Sequence, residues 1–454
     1  MTDKVWRGRR VVTPEGTRPA SVHVLAGVIT GVRDYDDVPA GCPREDLGDL
    51  VLMPGIVDTH VHINEPGRTD WEGFRSATRA AAAGGVTTLV DMPLNSIPPT
   101  TTLRGLEAKA RAAEGQCMVD VGFVGGVVPG NDKELRALFE AGALGFKCFL
   151  AESGVEEFKC VNEPELRLAM AELSRINAPL LVHAELPGPL EKAASREGAT
   201  SADEARRYAT YLASRPRAAE NEAVDMVIRL ARELRARAHV VHLSSSDALS
   251  AIRRAKDEGA PVSAETCPHY LSFAAEEIPD GATEFKCAPP IREKENREAL
   301  WDALREGLLD QVVTDHSPST VALKCSGSGD FVKAWGGISS LQLGLAAVWT
   351  GARARGRSID DVARWMCAAS ARLVGLEAKK GSLSPGCDAD LVAWDPDAEF
   401  CVDPVLLEHK NKITPYKGQR LSGRVVSTWL RGEKIYDRGR FEGAPSGRWL
   451  RGAR

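Results

Sequence analysis

Apolar runs of β-type composition recur through the middle of the chain and alternate with helical stretches. Eight such runs lie at 51–61, 86–92, 119–125, 144–150, 179–184, 238–243, 261–266 and 310–315. Strands that alternate with helices form parallel β-α units, and eight units favour a closed (β/α)8 barrel. A doubly wound sheet is the competing fold, but no glycine-rich phosphate loop follows the first run. The pattern therefore predicts an α/β protein with a TIM-like barrel.

Two of the intervening helices have recognisable signals at their N-termini. Thr69-Asp70-Trp71-Glu72 has the spacing of a capping box and predicts a helix that runs through residues 80–83 and stops at Gly84-Gly85. Asn131-Asp132-Lys133-Glu134 predicts the start of another helix, which ends near Gly142.

The two ends of the chain show short β-type runs separated by turn residues, for example at 21–32, 389–394 and 425–430. Neither end holds enough strand for a stable core by itself, so we expect the two to meet as one small β-sandwich. The predicted organisation is therefore a (β/α)8 barrel at 53–380, with 1–52 as the N-terminal part and 381–454 as the C-terminal part of the sandwich.

Composition narrows the class of protein without naming an activity. The formal net charge of -5 argues against a surface for nucleic acid or anionic membranes. No apolar run is long enough to span a bilayer, and residues 1–8 lack the apolar core of a signal peptide. The ten cysteines are scattered and form neither C-x-x-C zinc motifs nor a compact disulfide framework. We therefore expect a soluble cytoplasmic enzyme.

Polar side chains with metal-binding capacity stand at the ends of the predicted barrel strands. His60 and His62 point to the same face, because side chains at i and i+2 of a strand do so, and they form half of a metal site. Later runs add four further polar groups, Lys147, His183, His242 and Asp315. Catalytic groups of a β/α barrel lie at the C-terminal ends of its strands, so these side chains should face a common pocket.

This donor set suits a particular class of cation. Four imidazoles and a carboxylate are hard or borderline N/O donors, which suit Zn, Co, Mn, Ni or Fe(II) better than a thiophilic ion. Lys147 is the odd member, because a charged lysine is costly to bury in an apolar strand. Reaction with CO2 would convert it into an anionic carbamate that can bridge two cations. The sequence therefore predicts a divalent-metal centre.

The other histidines are expected to have different roles. His23, His239 and His409 fall outside the pocket pattern and are predicted to be structural. His316 directly follows the aspartate and would point to the opposite side in a strand. His269 is a candidate for the mouth of the pocket.

The pattern as a whole resembles the amidohydrolase superfamily, specifically its cyclic-amidohydrolase branch of dihydroorotases, dihydropyrimidinases (hydantoinases) and allantoinases. The similar segments reach from 53–62 to 386–391 and so cover nearly the whole chain. The resemblance implies a barrel that carries a binuclear metal centre and hydrolyses a cyclic amide.

The resemblance also implies how that centre is built. Two divalent ions, most commonly zinc, would share six ligands: His60, His62 and Asp315 on one ion, His183 and His242 on the other, and carboxylated Lys147 as the bridge. The implied mechanism activates a bridging water between the ions. Asp315 takes the proton of this water and returns it to the leaving ring nitrogen.

Within the branch the chain is most similar to the allantoinases, which open the hydantoin ring of allantoin to give allantoate. The similar segments are 62–74, 266–271, 285–292, 334–342, 409–412 and 414–416. Dihydroorotases usually have an arginine two residues after the first histidine pair, where this chain has Asn64. Dihydropyrimidinases usually have a tyrosine soon after the carboxylated lysine, where residues 150–154 contain none. Both departures argue against the two rival activities.

The resemblance leaves further expectations and alternatives. Asn95, Cys287 and Gly337 are predicted substrate contacts, the last two through backbone groups. The small-molecule substrate would be allantoin, and a homotetramer is expected because relatives are commonly tetramers. The alternatives are a hydantoinase or dihydropyrimidinase of broader specificity, a dihydroorotase-like enzyme, and a metal-free barrel that serves as a scaffold. Retention of all six ligands argues against the scaffold.

Overall fold

The computed structural model describes residues 2–195 and 200–452. Its strands are β1 Lys4–Thr13, β2 Gly16–Leu25, β3 Val28–Arg33, β4 Arg44–Asp46, β5 Val51–Pro54, β6 Ile56–Val61, β7 Val86–Asp91, β8 Asp120–Phe123, β9 Gly125–Gly126, β10 Phe146–Phe149, β11 Leu180–His183, β12 Ala238–Val240, β13 Val262–Thr266, β14 Gln311–Val312, β15 Leu391–Cys401, β16 Arg420–Leu430, β17 Glu433–Asp437 and β18 Arg440–Phe441.

The α-helices are α1 Phe74–Ala83, α2 Leu103–Ala113, α3 Leu135–Glu140, α4 Glu163–Arg175, α5 Pro187–Ala194, α6 Ala202–Ala205, α7 Tyr208–Ser214, α8 Arg217–Leu234, α9 Leu249–Asp257, α10 Pro268–Ser272, α11 Lys294–Arg305, α12 Gly344–Ala354, α13 Ile359–Ala363 and α14 Ala369–Leu373. Short 3-10 helices occur at Asp132–Glu134, Ser246–Ala248, Ala275–Glu277, Thr283–Phe285, Leu341–Leu343 and Pro404–Leu406, and a π-helical turn at Arg364–Ala368. Across the described ranges, no helix combines the length and apolar character needed to cross a membrane.

The parallel strands β6–β14 fill the eight positions of the predicted barrel, because β8 and β9, separated only by Val124, count as one interrupted strand. Their hydrogen bonds make a three-stranded sheet, β6-β7-β8, and a six-stranded sheet, β9-β10-β11-β12-β13-β14. The first and last strands meet where Val61 bridges His316 in parallel and the His62 amide donates to the His316 carbonyl at 2.8 Å. The two sheets also meet beside β8, where the Leu144 backbone amide, just before β10, donates to the carbonyl of Phe123 at the end of β8 at 2.8 Å. The expected (β/α)8 architecture is therefore confirmed.

Strands from both ends of the chain come together, as the sequence predicted, and their hydrogen bonds make one mixed sheet. Its order is β18-β17-β16-β15-β5-β1-β2-β3, with β4 paired to the edge of β1. N-terminal and C-terminal strands meet where β5 pairs antiparallel with β15. Trp6 and Trp429, one from each end, pack edge to face with ring centroids 6.1 Å apart and anchor a separate apolar cluster. Each end therefore supplies part of the core that the other lacks.

The apolar run 51–61 is divided between two sheets, although the sequence predicted one continuous strand. Its first part is β5 in the terminal sheet and its second part is β6 in the barrel. Gly55 separates them, and a Cβ at this position would lie 2.2 Å from the Thr87 hydroxyl. Only glycine allows the chain to pass this close to its neighbour and change sheets.

Helix α1 begins later than the capping box predicted. Its N-cap residue is Gly73. The Glu65 carboxylate caps the helix from outside, because it accepts a hydrogen bond from the Phe74 backbone amide at 2.7 Å. Glu72 is fully buried and accepts from His316 at 3.2 Å, so it cannot cap the segment at Thr69. A tertiary hydrogen bond has therefore overridden a local signal.

Candidate active site

Four of the six predicted metal-binding side chains come from the ends of barrel strands. His60 lies near the end of β6, and His62 follows its last residue. Lys147 is the second residue of β10, and His183 is the last residue of β11. Because parallel strands of a barrel end at one face, these side chains converge without any special loop.

The other two come from just beyond shorter strands than the sequence predicted. Strand β12 ends at Val240 and β14 at Val312, so His242 and Asp315 stand two and three residues past the strands. Both have left-handed backbone conformations, with φ of 40° and 44°. Such conformations are costly for residues other than glycine, and they turn both side chains toward the site.

One group of side chains surrounds Asp315. Its Oδ1 lies 3.4 Å from His60 Nε2 and 3.5 Å from His62 Nε2. His60, His62 and Asp315 each offer one ligand atom, and these atoms all lie within 4.8 Å of one another. Lys147 Nζ lies 3.2 Å from His60 Nε2 and so joins the group. We call these residues the His60 group.

His183 and His242 form a second group beside the first. His183 Nδ1 and His242 Nε2 are 3.1 Å apart. The ring centroids of His242 and His60 are 5.3 Å apart, which places the two groups next to each other. We call His183 and His242 the His183 group.

Burial sets the charge state of these side chains. It lowers the pKa of His60, His183 and His242 below the usual imidazole value, so the rings are neutral and keep a lone pair. It also lowers the pKa of the Lys147 ammonium to about 8. Burial opposes ionisation of Asp315, but the neighbouring His60 and His62 outweigh it and lower the pKa of this carboxyl. The site therefore combines three neutral imidazoles, those of His60, His183 and His242, with one carboxylate.

A buried carboxylate orients the ring of His60. Glu265 Oε1 accepts from His60 Nδ1 at 2.6 Å, and Glu265 Oε2 accepts from His239 Nε2 at 2.9 Å. Gln311 Nε2 also donates to Glu265 Oε2 at 2.9 Å. The chain continues from His239 Nδ1 to the Ser263 hydroxyl at 2.7 Å. Since the proton of His60 is held on Nδ1, its Nε2 lone pair faces the site.

A second carboxylate orients His183 through the other ring nitrogen. Glu185 Oε2 accepts from His183 Nε2 at 2.8 Å, which leaves the Nδ1 lone pair facing His242. Arg215 Nε donates to Glu185 Oε1 at 3.1 Å. Burial opposes ionisation of Glu185, but Arg215 and His183 outweigh it and lower the pKa of this carboxyl to about 2. Both histidine groups therefore have their own ionised partner.

A cavity of about 390 Å³ opens over the two groups, within the range of small-molecule sites. Its lining includes every predicted metal-binding residue except His60. Phe149 stacks on His183 with ring centroids 4.5 Å apart, and Trp335 adds a second apolar wall. Arg215 and Lys286 add positive charge to the same cavity.

The three predicted substrate contacts, Asn95, Cys287 and Gly337, also line this cavity. Gly337 has φ of 124°, and a Cβ there would lie 2.3 Å from the Ser317 carbonyl oxygen, so no other residue fits. The Cys287 carbonyl already accepts from Tyr211 at 2.6 Å. Their contact with a substrate stays a prediction.

The remaining histidines occupy distinct environments. His316 donates to Glu72 and accepts from the Ser340 amide at 3.1 Å, so it points away from the cavity, as predicted. His409 Nε2 accepts from the Gln342 amide at 3.2 Å, which suits a structural role. His269 is buried beside Asp315 and does not line the cavity, so the expectation that it lies at the mouth is wrong.

Sequence reasoning missed the carboxylates that orient the histidines. Glu185 stands two residues after His183 and therefore on the same face, a signal that the local pattern contained. Glu265 was detectable as a carboxylate inside an apolar strand, but its partner His60 is 205 residues away. Arg215 follows the short helix α7 and had no local signal.

Comparisons with known proteins agree with this geometry. The model of the amidohydrolase family matches residues 51–435. An allantoinase of Streptomyces avermitilis is 57% identical over 447 residues, which are 98% of each chain. An allantoinase of Arabidopsis thaliana is 44% identical and covers 96% of this chain and 89% of its own.

Solved structures give the same picture of the fold. The L-hydantoinase (dihydropyrimidinase) from Arthrobacter aurescens superposes with a TM-score of 0.92 at 32% sequence identity. The match covers 99% of this chain and 100% of that one. The barrel and the terminal sheet are thus shared over the full length.

Proposed function

Because this chain belongs to the amidohydrolase family, we propose that it is a metal-dependent hydrolase that opens the hydantoin ring of allantoin to allantoate. One observation carries the proposal: five barrel strands bring four imidazoles, a lysine and a carboxylate together at one cavity, which all of them except His60 line. The similarity to allantoinases over nearly the whole chain supports the choice of substrate.

The donor set fits two divalent ions. We propose that His60, His62 and Asp315 hold one ion, that His183 and His242 hold the other, and that carboxylated Lys147 bridges them. Burial keeps His60, His183 and His242 neutral, and carboxylates orient His60 and His183, as metal-binding histidines require. Nitrogen and oxygen donors suit Zn2+ best, and Co2+, Mn2+, Ni2+ or Fe2+ are compatible.

Lys147 is suited to carboxylation. Burial lowers the pKa of its ammonium to about 8, so a larger fraction is the neutral amine that reacts with CO2 than for an exposed lysine. The reaction forms an N–C bond and releases one amine proton. The product is a carbamate anion beside the neutral ring of His60. This anion would balance part of the charge of two cations.

The residues divide the work of ring opening. When bound, the ions supply Lewis acidity, which acidifies water and polarises a carbonyl group. Asp315 accepts the proton of the attacking water at a carboxylate oxygen and returns it to the leaving ring nitrogen. Asn95, Cys287 and Gly337 orient the substrate, the last two through backbone groups. Phe149 and Trp335 exclude bulk water from the ring.

The second candidate is a hydantoinase or dihydropyrimidinase, which the structural similarity to the Arthrobacter aurescens enzyme favours. Asn64 argues against a dihydroorotase, since its amide is buried and donates to the Pro318 carbonyl at 3.3 Å. A metal-free scaffold would have no use for the paired carboxylates that orient His60 and His183.

One experiment tests the proposal. The purified protein is stripped by prolonged chelation, reloaded with Zn2+, Mn2+ or Co2+, and assayed side by side on allantoin, dihydroorotate, dihydrouracil and hydantoin. We expect activity only after reloading, with kcat/KM for allantoin about 100-fold above the other substrates. Full turnover by verified metal-free protein, or a preference for another ring, would refute it.

A matched pair of variants refines the test. His60→Asn is expected to lose bound metal and activity together. His316→Asn removes an equally buried histidine that points away from the cavity, and it is expected to retain both. Equal metal loss in the two variants would contradict the proposed ligand set.

We also propose the larger organisation. The barrel would comprise 53–380, and the sandwich would combine 1–52 with 381–454, which the shared terminal sheet supports. A homotetramer and a cytoplasmic location are proposed as well. Ten free cysteines support a reducing compartment.

A further inference from the structure

A second set of metal-binding atoms lies on the other side of Asp315. Cys267 follows β13 directly, and His269 is the second residue of α10. One ligand atom each from Cys267, His269 and Asp315 lies within 4.8 Å of the others, and all three residues are buried. Asp315 therefore belongs to two donor sets, this one and that of His60 and His62.

His269 is the independent sign that this set receives a ligand. Its side chain is fully buried, and neither ring nitrogen has a hydrogen-bond partner within residues 2–195 and 200–452. Burying an imidazole with both nitrogens unpaired is unfavourable, because each nitrogen gives up its hydrogen bond to water without a replacement. A group that binds one of these nitrogens would remove part of this cost.

The chemistry of the donors identifies the class of ligand. The set of the His60 and His183 groups contains nitrogen and oxygen only, whereas this one adds sulfur. A thiolate, an imidazole and a carboxylate together match the preferences of Zn2+ and its softer analogue Cd2+. The geometry points to a third cation site at Cys267, His269 and Asp315 that takes a thiophilic divalent ion and inhibits the enzyme.

Inhibition follows from the shared carboxylate. As the sulfur–metal bond forms, the Cys267 thiol releases its proton to the buffer, and no oxidant or reductant takes part. A cation held by Cys267 and His269 occupies lone pairs of Asp315, the group that accepts a proton in the proposed mechanism. Binding of the third ion is independent of the proposed function, and only its inhibitory effect rests on that function.

The test uses the fully loaded enzyme and Cd2+ as the probe. Cd2+ is added to protein that already holds two equivalents of Zn2+, and excess metal is removed by equilibrium dialysis. We expect one additional equivalent, an ultraviolet thiolate-to-cadmium absorption, and at least about 100-fold lower kcat, the contribution of a lost general base. Cd2+ that exchanges into the nitrogen and oxygen ligands would add no thiolate absorption.

Matched variants locate the site. Cys267→Ala is expected to lose the absorption, the third equivalent and the inhibition, measured against its own activity at two equivalents of metal. Cys117→Ala removes another buried thiol, whose Sγ contacts the Ala113 carbonyl at 3.2 Å, and should respond to Cd2+ as the unaltered enzyme does. His269→Asn should weaken Cd2+ binding at least about ten-fold and keeps the test open if Cys267→Ala does not fold.

Two results would overturn the inference. One is a wild-type enzyme that binds only two equivalents and develops no thiolate absorption. The other is unchanged absorption and inhibition in Cys267→Ala or His269→Asn. If instead the enzyme proves inactive on allantoin but still gains the third equivalent with its absorption, the cation site stands and the proposed function fails.

Discussion

The two histidine groups of the site are held by carboxylates in different electrostatic settings. In the His60 group, Glu265 binds Nδ1 of His60 and also accepts from the His239 and Gln311 side chains and from the His242 backbone amide. In the His183 group, Glu185 binds Nε2 of His183 and is paired with Arg215. A guanidinium thus largely neutralises Glu185, whereas none forms a hydrogen bond with Glu265 within the part of the chain that the structure describes.

This difference predicts that the two ions of one site are bound with different affinities. A histidine that faces an unneutralised carboxylate is a stronger donor, because the negative charge raises the basicity of the ring. The His60 group also has Asp315, whereas the His183 group has no carboxylate among the ligands that we propose. We therefore expect the ion at the His60 group to be bound more tightly, and the following changes test this order.

The largest effect should come from Lys147→Ala, because Lys147 is the only group proposed to touch both ions. Its loss leaves two cations close together without a bridging anion. We expect metal content to fall below two equivalents and kcat/KM to drop roughly 1,000-fold or more. A short-chain carboxylic acid should partly restore activity by occupying the vacated space. Wild-type activity and metal content in this variant would show that Lys147 is not a ligand.

Asp315→Asn should have the next largest effect and should act on chemistry more than on binding. The amide oxygen can still face His60 and His62, but it cannot accept a proton. We expect kcat to fall by roughly two to four orders of magnitude while at least one metal ion remains bound. The decisive measurement is activity per bound metal ion. A near wild-type value at full occupancy would assign the proton transfer to another residue.

Glu265→Gln should weaken the His60 group selectively. The glutamine keeps the size of the side chain but removes the negative charge beside His60. Its NH2 group is also a hydrogen-bond donor, whereas His60, His239 and Gln311 need an acceptor at this position. We expect roughly 10- to 100-fold weaker binding of one ion, with a changed visible spectrum of the Co2+-loaded protein. Ser263→Ala, at the far end of the same hydrogen-bond chain, serves as the milder control. Weakening of both ions to the same extent would contradict the separate roles of the two groups.

Glu185→Gln should have the smallest effect of the four. Arg215 already neutralises most of the charge of Glu185, and a glutamine oxygen can accept from His183 or Arg215 in its place. We expect about ten-fold weaker binding of the second ion and little change at the first. If Glu185→Gln weakened metal binding more than Glu265→Gln did, the electrostatic order of the two groups would be reversed.

The sequence predicted the barrel and the six converging side chains because their signals are local. A strand periodicity and one polar residue at its end are sufficient when the fold itself brings the strand ends together. It could not predict the pairing of Glu265 with His60 or of Arg215 with Glu185, since such contacts depend on packing between distant segments. The late start of α1 has the same origin, because Glu72 forms a hydrogen bond with the distant His316 and is not available to cap the helix at Thr69. Similarly, the close approach of Gly55 to Thr87 divides one apolar run between two sheets.

The position of β5 between β1 and β15 has a consequence for synthesis of the chain on the ribosome. The edge of β5 that pairs with β15 has no partner until residue 391 and its successors have been made. At about 5–20 residues per second, this apolar edge waits on the order of half a minute. An open strand edge is a template for intermolecular pairing, so nascent chains should depend on chaperones during this interval. A protein truncated before β15 would keep the edge open permanently and should aggregate.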